Sequence, residues 1–207
     1  MAKHPVPGRV KTRLAVALGA ETACALSRAF ILDLAARLEG LPYAVTWAYW
    51  PPDAPFAALL PGASCRAQDG DDRGARMRNA VDAALAAGAA AVIVLGADVP
   101  HVETAVLAEA AAALAAGADV ALGPARDGGY YLIALRAPQP ALFERIAWGT
   151  PAVFEATRDR AAAAGLQVLV LPGTFDVDAP ADLAALRALV AGGRSDLPHT
   201  ARLLARV

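Results

Sequence analysis

Five stretches of the sequence carry side chains that could handle a phosphorylated ligand. In residues 3–14, Lys-His-Pro-Val-Pro-Gly-Arg-Val-Lys-Thr-Arg-Leu, four basic residues accompany two prolines and one glycine. Pro5, Pro7 and Gly8 keep the backbone out of a helix until about Val10. A basic loop running into a helix suits an anion, because the helix dipole and its first N–H groups face it. Lys11 and Arg13 would add charge-assisted hydrogen bonds worth roughly 1.5–3 kcal/mol each. The same composition also describes a solvated basic terminus. The second stretch is Val92-Ile93-Val94-Leu95-Gly96-Ala97-Asp98-Val99-Pro100. Its apolar, mostly β-branched start predicts a strand buried on both faces, which Pro100 forbids from continuing. Asp98 then stands at the strand's carboxyl end, where open α/β sheets bind ligands; otherwise it caps the next helix.

Three further clusters are acidic. Asp69-Gly70-Asp71-Asp72 could bind a cation, or could be a solvated turn that complements the dipole of the following helix. Arg126-Asp127-Gly128-Gly129 is a strong turn signal, and its glycines would equally let backbone approach a ligand. Asp176 and Asp178 lie at i and i+2 in an extended segment, so both point the same way and could face a cation. Asp178 could instead cap the last helix, with Asp182 favouring that helix's positive end.

The elements that position these groups alternate. Leu26, Phe30, Leu34 and Leu38 form one apolar stripe on a helix predicted over Glu21–Leu38. Tyr43–Trp50 reads as a strand, Phe56–Leu60 as a short helix and Ser64–Gln68 as a short strand. A helix follows from about Arg73 to Ala87, then the strand Val92–Leu95 and a helix from about Val102 to Ala116. His101 is expected at the surface in that helix's first turn. Asp119–Leu122 and Tyr130–Leu135 are strands joined by a hairpin. Thr150-Pro151 predicts an N-cap and first helical residue for a helix to about Ala164. Leu166–Leu171 is the last clear strand and Ala181–Ala191 the last clear helix. This order predicts an α/β fold, a mixed, mostly parallel sheet with helices on both faces, in one domain over 1–207.

Composition excludes several classes. The chain has 207 residues, 57% hydrophobic and 19% charged, enough to bury a sizeable core. A net charge of -1, from 19 basic and 20 acidic residues, gives no electrostatic case for nucleic acid or an anionic membrane. The uncharged run from Ala83 to Ala97 is too short to span a bilayer. Cys24 and Cys65 have no metal or redox spacing and read as small buried hydrophobes. With no leader-like segment, they point to a reducing cytoplasm. Oligomeric state leaves no mark in the sequence.

Several stretches also resemble one family in order along the chain. Ala2-Lys3 and Pro5 through Leu14 are similar to the opening loop of a group of glycosyltransferase A-like proteins, known as rSAM/selenodomain-associated transferases or arsenosugar biosynthesis glycosyltransferase-like proteins. Gln68 to Met77, Gly96-Ala97-Asp98-Val99-Pro100, Gly123 to Leu132, Trp148-Gly149-Thr150 and Asp176 to Leu183 resemble the later motifs. The resemblance implies a Rossmann-like nucleotide-diphospho-sugar transferase fold. It implies that Lys3, Gly8, Lys11, Thr12 and Arg13 hold nucleotide phosphates. Asp98 and Asp178 would hold a divalent cation, Mg²⁺ or Mn²⁺, with Asp176 near them. Asp127, with Gly128, Gly129 and Trp148, would face the sugar or acceptor, and Asp98 and Asp127 would be the catalytic carboxylates. Two departures matter. The family has an apolar first strand ahead of the opening loop, and Met1 stands where it should end, so that strand is expected to be missing. Its loss would leave buried ladder groups unpaired, at about 1–3 kcal/mol each, and weaken nucleotide binding. Ala179 replaces a capping Thr, so Asp178 is expected to cap the helix itself.

The implied activity is a metal-dependent, glycosyltransferase-like transfer from a nucleotide-activated sugar to a small-molecule acceptor. The group is also similar to nucleotidyltransferases such as 2-phospholactate guanylyltransferase, so release of pyrophosphate from an NTP is the alternative. A non-catalytic nucleotide-binding protein is the third reading.

Overall fold

Strands and helices fall on the apolar runs, and glycines punctuate them. A computed structural model describes residues 1–206 of the chain. In chain order its elements are β1 (Ala2–Lys3), α1 (Thr12–Leu18), α2 (Ala20–Leu38), β2 (Thr46–Trp50), β3 (Ser64–Ala67), α3 (Arg73–Ala86), β4 (Val92–Leu95), α4 (Thr104–Ala115), β5 (Val120–Pro124), β6 (Tyr130–Leu135), α5 (Val153–Ala163), β7 (Val168–Val170), α6 (Pro180–Ala191) and α7 (Pro198–Leu204). The chain divides into two compact units.

One unit comprises Met1, Gln68–Gly96 and Glu103–Phe175. Its sheet has the order β4-β6-β5-β7. β6 runs antiparallel to both β4 and β5, and β7 runs parallel to β5. The hairpin expected around Asp127 thus supplies the antiparallel component. Leu132 to Leu135 and Val120 to Leu122, on the two central strands of this sheet, are fully buried. β4 lies at the edge of this sheet, and only Val94 among its residues is buried. The expected strand buried on both faces is therefore β6 rather than β4. The Met1 ammonium donates to Leu95 O at 2.8 Å.

The hairpin turn explains its glycine. Gly128 N–H donates to Ala125 O (3.0 Å), and Gly129 N–H donates to the Asp127 carboxylate (2.8 Å). Gly128 has φ +86°, and a Cβ there would lie 2.5 Å from Pro151 Cα. Packing, not the approach of a ligand, already demands glycine at this position.

The other unit comprises Ala2–Ala67, Ala97–Val102 and Asp176–Val207, of which the last residue lies outside the described part. Its sheet is wholly parallel, in the order β1-β2-β3. β1 is two residues long, Ala2–Lys3, and these are residues that the resemblance assigns to the opening loop, just after the expected strand end at Met1. The α2 stripe buries Leu26, Phe30 and Leu34 as expected, while Leu38 is half-buried. Asp33 on the same helix is fully buried and accepts from His199 N–H (2.9 Å) and Thr200 N–H (2.8 Å). It satisfies two of the orphan donors that open α7.

Local expectations were corrected at three places. α5 starts at Val153, not at Pro151 with Thr150 as its N-cap, because the Thr150 hydroxyl donates back to Ala147 O (2.8 Å) and closes a turn instead. His101 is 3% exposed and precedes α4 rather than standing on its surface. Cys24 and Cys65 are free and half-buried, and burial pushes both thiols up, the opposite of a reactive thiolate. Among the described residues, no helix is long and apolar enough to cross a membrane.

Gly128 and Gly173 make a matched pair for the packing claim. A Cβ at Gly173 meets nothing closer than 3.6 Å, and its φ is not left-handed. Gly128→Ala is expected to lower stability by about 1–3 kcal/mol through strain and overlap, and Gly173→Ala by less than about 0.5 kcal/mol. Urea denaturation midpoints compare them; equal midpoints would refute the packing account.

Candidate functional site

The site begins with a lysine in an unfavourable place. Lys11 is the N-cap of α1, with φ 47° and ψ 44°. For a residue with a side chain this left-handed conformation costs roughly 1–2 kcal/mol. The Lys11 side chain is also 4% exposed. A lysine is almost never buried without a partner, and this one has two. Its ammonium donates to Asp98 Oδ1 and to Asp178 Oδ1, the latter at 2.7 Å. The Phe30 ring centroid lies 5.8 Å away, within cation–π range.

Backbone bonds hold the two carboxylates side by side. Val177 N–H donates to Asp98 O at 3.0 Å, which ties the segment before α6 to the segment carrying Asp98. Asp98 does not cap α4, whose N-cap is Glu103. Asp178 does not cap α6 either. The Asp182 carboxylate accepts from Ala179 N–H (2.8 Å) and Asp178 N–H (3.2 Å), so the expected competition between capping and the site does not arise. The carboxylates are thereby free to face the ammonium, and their outer sides remain 54% (Asp98) and 40% (Asp178) exposed.

Electrostatics follow the geometry. Burial opposes charge on Lys11, but Asp98 and Asp178 outweigh it and raise its pKa, so the ammonium stays protonated. Burial would raise the Asp178 carboxyl. The charge and hydrogen bond of Lys11, with Asp176 and Arg13 behind, instead hold it below the usual carboxylate value.

The donor set suits a hard cation. Mg²⁺ takes one or two carboxylates and completes its shell with phosphate oxygens and water. Asp98 and Asp178 supply two oxygen donors that already accept one cationic group between them. Among the described residues, no group of three or more metal-ligating side chains occurs. The fit is thus to a cation that shares its shell with a ligand, not to a closed protein cage.

The structure brings Lys11, Arg13, Asp98, Asp176 and Asp178 together. Lys3, Gly8 and Thr12 belong to the same unit and are exposed, Gly8 with φ +72° in the loop ahead of α1. α1 has only seven residues, so cationic side chains carry most of the positive field there. Asp127, Gly128, Gly129 and Trp148 belong to the other unit. There Asp127 closes the hairpin turn, and Trp148 packs edge-to-face on Tyr130 with centroids 6.2 Å apart. The Trp148 indole also fills the space where a Cβ on Gly74 would sit. The Asp69–Asp72 turn is structural too: Asp72 caps α3 by accepting from Ala75 N–H at 2.8 Å. A cleft of about 350 Å³ in that unit is lined by Arg78, Glu144 and Arg145 among others, and it contains none of the expected site residues.

This architecture is the nucleotide-diphospho-sugar transferase fold. The family DUF2064, described as uncharacterized proteins conserved in bacteria, matches residues 31–150, and the chain belongs to that family. A solved structure of a proposed nucleotide-diphospho-sugar transferase from Desulfovibrio desulfuricans is similar with a TM-score of 0.93 and 36% identity, over 99% of this chain and 91% of that one. Two others share the fold at low identity. A 4-diphosphocytidyl-2C-methyl-D-erythritol synthase has a TM-score of 0.53 at 16% identity, over 79% of this chain and 88% of that one. A CMP:2-keto-3-deoxy-manno-octonic acid synthetase in complex with CTP has a TM-score of 0.55 at 15% identity, with the same 79% and 88% coverage. No curated protein matches the chain.

The ion pairs set a pH signature. Because the folded Asp178 carboxyl titrates below its unfolded value, its contribution is present above the usual carboxylate range and is lost as pH falls through the folded value. The raised Lys11 value works oppositely: its contribution is present below the usual lysine range and is lost only as pH rises through the folded value. Asp178→Asn should cost about 1 kcal/mol at pH 7, since the carboxylate is partly screened by water. That difference should begin to shrink as pH drops below about 4 and vanish only once pH has passed the lowered folded value. A constant difference down to acid pH in urea titrations would contradict the assignment.

Proposed function

We propose that the protein is a metal-dependent transferase acting on a nucleotide-activated sugar. The observation that carries this reading is the buried Lys11 ammonium held between two half-exposed carboxylates from distant segments. Such an arrangement has no structural necessity, and its parts suit a nucleotide diphosphate and its cation. Asp98 and Asp178 would hold Mg²⁺ or Mn²⁺, which when bound offsets charge on a departing diphosphate. Lys11 and Arg13 would bind phosphate oxygens, with Lys3, Gly8 and Thr12 in the same phosphate-holding loop. The fold and the 36% identity to a proposed nucleotide-diphospho-sugar transferase support the donor class. By the family resemblance, Asp127, Gly128, Gly129 and Trp148 serve the sugar or acceptor, with Asp127 as the orienting carboxylate or base.

On this reading Lys11 stands in for the divalent cation until a nucleotide arrives. A metal ion alone must compete with a tethered ammonium, whereas a metal ion with a diphosphate gives that ammonium a new partner.

Calorimetric titrations with UDP-sugars, GDP-sugars and NTPs, each with Mn²⁺ or with EDTA, test the proposal. A nucleotide sugar is expected to bind tightest and to depend on Mn²⁺. Asp98→Asn should weaken that binding by about tenfold or more. Tighter binding of an NTP than of any nucleotide sugar would favour nucleotidyl transfer. Binding that ignores both Mn²⁺ and Asp98 would favour a non-catalytic nucleotide-binding protein. Lys11→Met carries the second prediction: Mn²⁺ binding without nucleotide should strengthen by about tenfold, as a competing charge is removed, while nucleotide binding weakens by about tenfold. Weaker Mn²⁺ binding in that variant would rule out the stand-in role.

A further inference from the structure

The segment that carries Asp98 is gripped by a side chain remote in sequence. Val99, Pro100, His101 and Val102 are all buried, although Asp98 is exposed. Val102 N–H donates to Val99 O at 3.1 Å and closes a turn. The carbonyls of Pro100 and Val102 then need partners, because a buried carbonyl left unpaired is costly. Arg37, in the last turn of α2, supplies both: Nη1 donates to Pro100 O and Nη2 donates to Val102 O. The Arg37 side chain is 7% exposed, and its Nε pairs with Asp196 Oδ2 at 2.6 Å. Asp196 also accepts from Arg194 Nε at 2.9 Å, which fixes the carboxylate from its other side.

We propose that Arg37, oriented by Asp196, is a positioning residue that sets the place of Asp98; this rests on Asp98 serving a cation and phosphate as read above. The guanidinium is a planar fork with donors in fixed directions. Two of its edges hold the turn that follows Asp98, and the third is locked by a carboxylate from the segment before α7. On its own carbonyl, Asp98 is held by Val177 N–H. Its backbone is therefore pinned on both sides, and only side-chain rotation remains free. A cation ligand must be held to within about 0.5 Å, so this grip is felt directly in affinity. A lysine at position 37 would keep the charge but could not span two carbonyls and a carboxylate in one plane.

The test compares Arg37→Lys with the wild-type protein in calorimetric titrations with UDP and with GDP, each in Mn²⁺ and in EDTA. Arg37→Lys is expected to weaken the Mn²⁺-dependent binding by roughly tenfold and to leave binding in EDTA unchanged. In an Asp98→Asn background it should cause no further loss, because it acts through that carboxylate. Amide hydrogen exchange at Val102 and Val177 should quicken in the single variant. If Arg37→Lys does not fold, Asp196→Asn takes its place, with about threefold weakening expected in Mn²⁺ alone. A folded variant that binds like the wild type in Mn²⁺, or that weakens equally in EDTA or on top of Asp98→Asn, overturns the positioning role alone. Wild-type protein that binds equally in Mn²⁺ and EDTA overturns the reading of the site, and the positioning role falls with it.

Discussion

A buried ammonium cannot stand without counter-charge, and that requirement organises the unit that holds Lys11. The lysine side chain is 4% exposed, so water cannot solvate it. Two carboxylates must come to it, one from the segment after β4 and one from the segment before α6. Their backbones meet through the bond from Val177 N–H to Asp98 O. The parallel strands and the α2 stripe build a stable frame, but the convergence of these three charged residues is decided by electrostatics rather than by apolar packing.

The acids of this chain sort by what they serve. Asp72 caps α3, Asp182 caps α6 and Asp33 caps α7 from the middle of α2. Each satisfies helix N–H groups that would otherwise be orphaned. Asp98 and Asp178 cap nothing. They serve a side-chain cation and present their other faces to solvent. Asp182 makes this division possible, because it takes over the capping duty at the start of α6. The Ala179 departure from the family pattern is therefore compensated within one helical turn, and the carboxylate two residues after Asp176 keeps its freedom.

Much of the frame was legible in the sequence. β4 and β6 have the boundaries their apolar runs predict, and α3, α4 and α5 end within one residue of the ends expected at Ala87, Ala116 and Ala164. Legibility failed where partners were remote. Lys11 meets Asp98 and Asp178 across separations of 87 and 167 residues, and no local pattern encodes such a meeting. Arg37 and Asp33 sit beside the apolar stripe of α2 and, in sequence, look like ordinary polar positions. Their one signal was placement: Asp33 directly precedes Leu34, and Arg37 directly precedes Leu38. β4 misled for a different reason. An apolar run predicts burial, but coverage of a strand's two faces by other elements decides how much burial it receives. Thr150-Pro151 misled because a hydroxyl can bond to a nearby carbonyl as readily as it caps a helix.

The arrangement around Lys11 is costly as pure architecture. A left-handed lysine, a desolvated ammonium and two facing carboxylates could all be replaced by apolar residues, and such replacements are often neutral or stabilising. Local rules that are broken without structural gain tend to mark working parts of a protein. The direction of exposure sharpens the point. The carboxylates reach solvent while the ammonium does not, so on the proposed reading an incoming divalent cation would meet the carboxylates first. On the proposed reading, only a ligand that offers new negative charge can draw the ammonium away. Metal and nucleotide would then favour each other's binding through one side chain, with no need for the surrounding fold to change.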